Sequence, residues 1–226
     1  MIQPRNKITP DFCWSDIDTV LLDMDGTLLD KYFDDYFWEE FVPQVYGAKH
    51  GISVEQATAK LLDGYRLVAD TLSWTDLDFW SDRLGLDIPL LKQQVSHLIA
   101  VHPFVIEFLN YIEAQAKKLC LVTAAHNKTL AIKMKQADLT PYFDTIICAE
   151  ELGIPKESPE FWHKLEELLG FDKSRTFLAD DTNKVLHAAR QHGISHVIHV
   201  ARPSSRSPIC YSGEFPSIVF FDELMF

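Results

Sequence analysis

Short apolar runs recur along the chain with longer amphipathic stretches between them. The runs cover residues 19–22, 119–123, 145–149, 176–179 and 196–200, and the alternation predicts a parallel sheet with crossover helices. The helix signals are explicit. Ser158 precedes Pro159 as an N-cap with proline at the first helical position; Phe161, Trp162, Leu165, Leu168 and Leu169 then share one face, and Gly170 ends the helix. A second helix is predicted from Thr182 through Val185, Leu186 and Ala189 to Gly193. Residues 217–221 fit a sixth, edge strand, and the Ser/Pro-rich stretch 203–216 reads as loop.

Between about Asp30 and Ala100 no strand pattern occurs, so these residues interrupt the alternation as an inserted helical segment. Ser53 with Gln56 matches a capping box, followed by Val54, Ala57, Leu61, Leu62, Tyr65 and Val68 at helical spacing. Thr75 fits the cap of the next helix, with Leu77, Trp80 and Leu84 inward and Gly85 as its stop; a weaker helix is expected over 89–99. The expected organisation is a core domain of residues 1–29 and 101–226 with a cap of residues 30–100.

With 226 residues and 47% apolar content, the chain is long enough to bury a substantial core. A net charge of −12 argues against general affinity for a nucleic-acid polymer, although not against a single nucleotide. Cys13, Cys120, Cys148 and Cys210 lack paired ligand spacing, Cys120 and Cys148 fall inside predicted strands, and the four read as free buried thiols in a reducing compartment. No run approaches a membrane span and residues 1–10 lack an apolar signal core, so a cytoplasmic enzyme with no membrane partner is expected. The oligomeric state is not legible.

The chemistry concentrates where the first apolar run ends, in Asp23-Met24-Asp25-Gly26-Thr27. Alternation in a strand would send Asp23 and Asp25 to one face, where like charges raise each other's pKa unless a cation or proton intervenes. Such a pair suits nucleophilic attack by one carboxylate on a phosphoryl group, with the other exchanging the proton and a hard metal holding the charges together. An acidic turn is the plain alternative. A calcium loop is disfavoured, because Leu28 and Leu29 stand where further oxygen ligands are needed.

In open parallel sheets ligands lie beyond the carboxyl ends of the strands, so residues ending the other runs should converge on this pair. Thr123 ends the second run and is followed by the small Ala124 and Ala125, whose amides can approach an anion. Asp180 and Asp181 end the fourth run and offer metal ligands or helix caps; Lys156 offers a compact positive charge.

In this order the motifs resemble those of the haloacid dehalogenase-like (HAD) hydrolase superfamily. The resemblance implies an α/β fold, a Rossmannoid parallel sheet with helices on both faces and an inserted α-helical cap. It also implies that Asp23 is the nucleophile, Asp25 the general acid and base, Thr123, Ala124 and Lys156 the phosphate-binding residues, and that Mg2+ is held by Asp23, the Asp25 backbone carbonyl and Asp181, with Asp180 beside it. Lys156-Glu157-Ser158-Pro159 departs from the frequent Lys-Pro-x-Pro pattern but keeps the lysine. A second acid at Asp25 favours a phosphatase over a dehalogenase, whose leaving group needs no proton.

The stretches 23–30, 33–38 and 42–51 are similar to the bacterial GMP/IMP nucleotidase branch, which implies a purine nucleoside 5′-monophosphate as substrate. Ala124 stands where that branch is expected to carry Asn. The aromatic cluster from Tyr32 to Trp38 is expected to pack mostly within the cap, with one or two rings facing the cleft. The alternatives are a phosphosugar phosphatase or phosphomutase, and a non-catalytic, magnesium-binding regulatory protein that keeps the fold. His126 reads as an exposed loop histidine, with contact to the substrate as the alternative.

Overall fold

A computed structural model describes residues 6–69 and 71–226. Six parallel strands, β1 (Thr19–Leu22), β2 (Lys118–Thr123), β3 (Thr145–Cys148), β4 (Thr176–Asp180), β5 (His196–Val200) and β6 (Ser217–Ile218), stand in the order β3-β2-β1-β4-β5-β6. The chain steps outward from β1 on one side and resumes from β4 on the other, so the order reverses between β1 and β4. That reversal opens a crevice at the carboxyl ends of the strands. The edge strand is shorter than its pattern predicts. Pairing ends at Val200↔Ile218, and Phe221–Leu224 turns into a 3-10 helix that buries Phe221 and Leu224.

The sheet alternates by two. Val20 and Leu22 of β1, Leu119 and Leu121 of β2 and Phe177 and Ala179 of β4 join one apolar cluster; Leu21, Cys120, Val122 and Leu178 join the other. Helices cover both faces, as the repeated apolar runs require; the free thiols of Cys120 and Cys148, on strands, are buried accordingly, whereas those of Cys13 and Cys210, outside the strands, are exposed and not buried as expected.

Between β1 and β2 lie α1 (Tyr32–Tyr36), a wide π-turn (Phe37–Phe41), α2 (Val42–His50), α3 (Val54–Val68), α4 (Leu72–Thr75), α5 (Leu77–Leu84) and α6 (Ile88–Gln94), then α7 (Val105–Ala114). α8 (Asn127–Ala137) follows β2; α9 (Ala149–Leu152) and α10 (Pro159–Leu169) follow β3; α11 (Asn183–His192) follows β4. Val105, Phe108, Leu109 and Ile112 of α7 cover the first face, while Phe161, Trp162 and Leu165 of α10 and Val185, Leu186 and Ala189 of α11 cover the second.

The helical segment leaves and re-enters through one narrow neck. Leu29 bridges Val101 antiparallel, Asp30 N donates to Ala100 O at 2.9 Å, and His102 N donates to Leu28 O at 2.9 Å. Among the described residues of the segment no strand forms. The capping box of α3 is present in both directions, with Ser53 and Gln56 exchanging hydrogen bonds. Thr75 does not cap α5. It ends α4, and the Asp76 carboxylate accepts from the Asp78 and Phe79 amides, because Asp76 has the extended backbone an N-cap requires. The predicted helix over 89–99 is split into α6 and a 3-10 turn at Ser96–Leu98.

Candidate active site

Strand register brings the first two acids together. Leu22 pairs with Ala179, and the ladder runs one bond further as Asp23 N donates to Ala179 O at 3.0 Å, so Asp23 lies beside Asp180. Pairing then stops, and Asp25 is oriented by the turn rather than by strand alternation. Asp25 bridges Leu29, and Gly26 takes a positive φ of 85°. That glycine is also required by space, since a Cβ there would lie 2.6 Å from Asp181 Oδ2.

Asp23, Asp180 and Asp181 each offer a carboxylate oxygen, and the three oxygens lie within 4.8 Å of one another. Lys156 reaches in from the loop before α10 and is wholly buried. Its ammonium donates to Asp23 Oδ1 at 2.7 Å, Asp180 Oδ2 at 2.7 Å and Val122 O at 2.9 Å. Asp180 is fully engaged, because its other oxygen accepts from the Thr182 amide at 2.8 Å. Asp181 is held more loosely, by Lys31 at 3.3 Å and the Thr182 hydroxyl at 3.2 Å.

Burial drives the electrostatics. It pushes the Asp180 and Asp181 carboxyls above the usual range; Lys156 and Lys31 respectively oppose the rise, and Asp23 adds to it. Burial alone would lower the Lys156 ammonium, but Asp180 and Asp23 outweigh it and hold the group charged. The Lys31 ammonium is raised by Asp181.

A second cluster surrounds Asp25. Lys133 of α8 donates to Asp25 Oδ1 and to Asp34 Oδ2 of α1, both at 2.5 Å, and Lys92 of α6 donates to Asp34 Oδ1 at 2.7 Å. Burial, with Asp34 and Asp23 adding to it and Lys133 opposing, raises the Asp25 carboxyl to about 6. Burial would also raise Asp34, but Lys133 and Lys92 hold its carboxyl well below the usual range.

Both clusters open into one cavity of about 400 Å³. Asp23, Asp25, Thr123, Ala124, Lys156, Asp180 and Asp181 all line it, so every candidate residue from the sequence is brought to the same place. The Asp25 side chain turns to Lys133 and stands apart from the carboxylate trio. Thr123 sits at the end of β2, its hydroxyl accepting from the Ala125 amide at 3.0 Å.

Trp38, Tyr65 and Trp74 also line the cavity, with Trp38 and Tyr65 centroids 5.6 Å apart and Tyr65 and Trp74 centroids 5.5 Å apart. Phe33 and Phe37, four residues apart, are buried instead, so the aromatic cluster divides between packing and cleft. His126 is not an exposed loop residue. It is buried at the N-cap of α8, its Nδ1 accepting from the Lys128 amide, while Asp76 and Glu150 lie 3.8 and 3.4 Å from its Nε2.

Lys31, Asp34, Lys92 and Lys133 escape a reading based on strand ends. The available signal is a lysine four residues after Thr129 on the buried side of α8.

The sequence profile of the haloacid dehalogenase-like hydrolases matches residues 17–193, and the chain belongs to that family. It is 40% identical over 192 residues to the GMP/IMP nucleotidase YrfG of Escherichia coli (strain K12), covering 85% of this chain and 86% of that protein. It is 24% identical to a phosphorylated carbohydrates phosphatase of Thermotoga maritima, covering 81% and 85%. Among solved structures, a HAD phosphatase from Thermococcus onnurineus superposes with a TM-score of 0.76 at 25% identity, covering 92% of this chain and 96% of that one.

Among the described residues no helix is long and apolar enough to cross a membrane.

Proposed function

We propose that this enzyme is a magnesium-dependent phosphatase that hydrolyses purine nucleoside 5′-monophosphates, GMP and IMP first, through an aspartyl phosphate. The observation that carries the reading is the convergence of Asp23, Asp25, Thr123, Lys156 and the paired acids Asp180 and Asp181 on one cavity. The 40% identity to a GMP/IMP nucleotidase supports the substrate class, and the aromatic residues Trp38, Tyr65 and Trp74 lining the same cavity support the stacking of a base.

The donor set fits a hard divalent cation. Three close carboxylates share only two lysines, and burial raises the Asp180 and Asp181 carboxyls, so a divalent cation would supply the positive charge that lets all three ionise. Asp23 and Asp181 would hold Mg2+ with the Asp25 backbone carbonyl, and Asp180, both of whose oxygens are engaged, would orient Lys156. When bound, the ion supplies charge neutralisation and orientation for the phosphoryl group.

A carboxylate oxygen of Asp23 attacks phosphorus while the bond to the nucleoside oxygen breaks, and Asp25 gives that oxygen its proton. Asp25, now ionised, takes a proton from water. The resulting hydroxyl oxygen bonds to phosphorus, the Asp23–phosphorus bond breaks, and inorganic phosphate leaves. Thr123 and the Ala124 amide hold the non-reacting oxygens through both displacements, and Lys156, whose three N–H donors are taken by Asp23, Asp180 and Val122, contributes its positive charge beside them. Residues 30–100 act as a cap that closes over the substrate through the neck at Leu29 and Val101, which restricts entry to small molecules.

The test is released phosphate across a panel of nucleotides, phosphosugars and phosphoglycolate, with magnesium or chelator. GMP and IMP should lead, chelation should abolish turnover, and Asp23→Asn should lower kcat by at least about 10³-fold. Intact activity in Asp23→Asn refutes the mechanism, and a lead for phosphosugars refutes the substrate.

A further inference from the structure

Lys133 carries a charge into the interior of the fold, since its side chain is 2% exposed. A buried ammonium persists only when paired and hydrogen-bonded. Here the pairing forms a chain of alternating sign, Asp25–Lys133–Asp34–Lys92, in which every link is a direct hydrogen bond. The far end is closed by rings: Lys92 Nζ lies 5.0 Å from the Phe33 centroid, 4.8 Å from Phe37 and 5.6 Å from Trp38. The chain also spans the fold. Asp25 follows β1, Lys133 is on α8, and Asp34 and Lys92 belong to the helical segment.

Stability alone does not explain two buried lysines strung between two partly buried carboxylates, because apolar side chains of similar volume would serve at least as well. Geometry does. A carboxylate on a turn has rotamers to choose from, and proton transfer requires it within about 2.6–3.2 Å of its partner. Lys133 engages Oδ1 of Asp25, which leaves Oδ2 as the oxygen that exchanges the proton.

We propose that Lys133 is a positioning residue for the reaction: held by Asp34 from the helical segment, its ammonium fixes Asp25 in the orientation from which it serves the leaving oxygen. This rests on the reading of Asp25 as the proton donor. It follows that the acid is aligned only while α1 and α6 are seated on the core.

The experiment measures single-turnover bond cleavage by the metal-loaded enzyme for two esters. IMP expels an alkoxide that needs a proton, whereas p-nitrophenyl phosphate expels a stable anion that does not. Lys133→Met should slow IMP cleavage roughly 10²-fold and p-nitrophenyl phosphate cleavage at least tenfold less. Lys133→Met/Asp34→Asn removes one charge of each sign, so it keeps the local balance if the single variant folds poorly, and it should show the same selectivity. Rate constants with enzyme in excess do not depend on the active fraction, and a merely structural role slows both esters alike, which would overturn the proposal.

Asp25→Asn separates the two levels. Leaving-group selectivity in Asp25→Asn without any in the Lys133 variants refutes positioning by Lys133. Equal slowing of both esters in Asp25→Asn refutes the acid itself, and the positioning role with it.

Discussion

The two ionic clusters flanking the cavity are built from the same residue types and differ in their balance. Around Asp25, two carboxylates meet two ammonium groups and each link is direct, so the cluster is neutral without any further ligand. Around Asp23, three carboxylates meet Lys156 and the half-exposed Lys31, and the Lys31 contact is the longer one at 3.3 Å. A neutral, closed network fixes geometry. Three clustered carboxylates with fewer ammonium groups beside them suit a cation. The division of labour in the proposed reaction follows from this: covalent and metal chemistry on one side of the cavity, alignment of the proton donor on the other.

The strongest way to break the comparison is to remove the cation at the centre of the first cluster. Lys156→Met strips Asp23 and Asp180 of their shared partner in a buried site, which should cost about 3–5 kcal/mol in chelator and lower the melting temperature by roughly 10 °C. Magnesium should then stabilise the variant more than it stabilises the wild type, because the deficit the ion fills has grown. Asp34→Asn should change stability and leave the magnesium response where it was. Equal magnesium shifts in all three proteins, read by thermal melting, would erase the distinction between the clusters.

How much of this was legible in the sequence depends on how local each signal is. Asp23, Thr123 and Asp180 end apolar runs, and strand register does the rest, since Leu22↔Ala179 pairing leaves Asp23 beside Asp180. Gly26 announces its turn because only glycine fits against Asp181. The second cluster had no such signal. Lys133 meets partners 108 and 99 positions away, and Lys92 meets one 58 away, so in sequence each lysine resembles a solvated helix charge. Thr75 and Asp76 are adjacent capping residues, and only backbone geometry selects the second. His126 has the composition of an exposed loop around it, but α5 and α9 supply the acids that cover it.

Within the second cluster the two carboxyls are driven in opposite directions, and pH exposes this with a smaller effect. In the metal-free protein the Asp25 carboxyl sits at about 6 against 3.8 for the free side chain, so the folded state binds its proton more tightly than the unfolded state does. That contribution is complete below pH 3.8 and is lost as pH rises through about 6. Asparagine mimics the neutral acid, so Asp25→Asn should gain on the wild type by up to about 3 kcal/mol between pH 4 and pH 7, measured by urea unfolding in chelator. Asp34 has the opposite sign. Its depressed carboxyl contributes stability above the ordinary carboxylate range that is lost as pH falls below it. Asp34→Asn should therefore lose to the wild type at pH 7 and recover towards acid. Parallel slopes in the two variants would show that the cluster does not hold the charges assigned to it.

The smallest effect tests whether burial, and not the mere presence of an ion pair between core and helical segment, sets these energies. Lys128 of α8 also reaches across, binding both oxygens of Asp78 on α5, but its side chain is 49% exposed and that of Asp78 is 61% exposed. Water screens such a pair, and ordering two long side chains offsets much of the attraction. Lys128→Ala should cost less than about 1 kcal/mol at low salt and close to nothing at 1 M salt, where the screening length falls to about 3 Å. Five residues further along the same helix, Lys133 reaches the same segment with its own side chain only 2% exposed, and the effect of removing it should persist at high salt. If the two variants lose stability with the same salt dependence, the second cluster is open to solvent and no longer differs in kind from a surface pair.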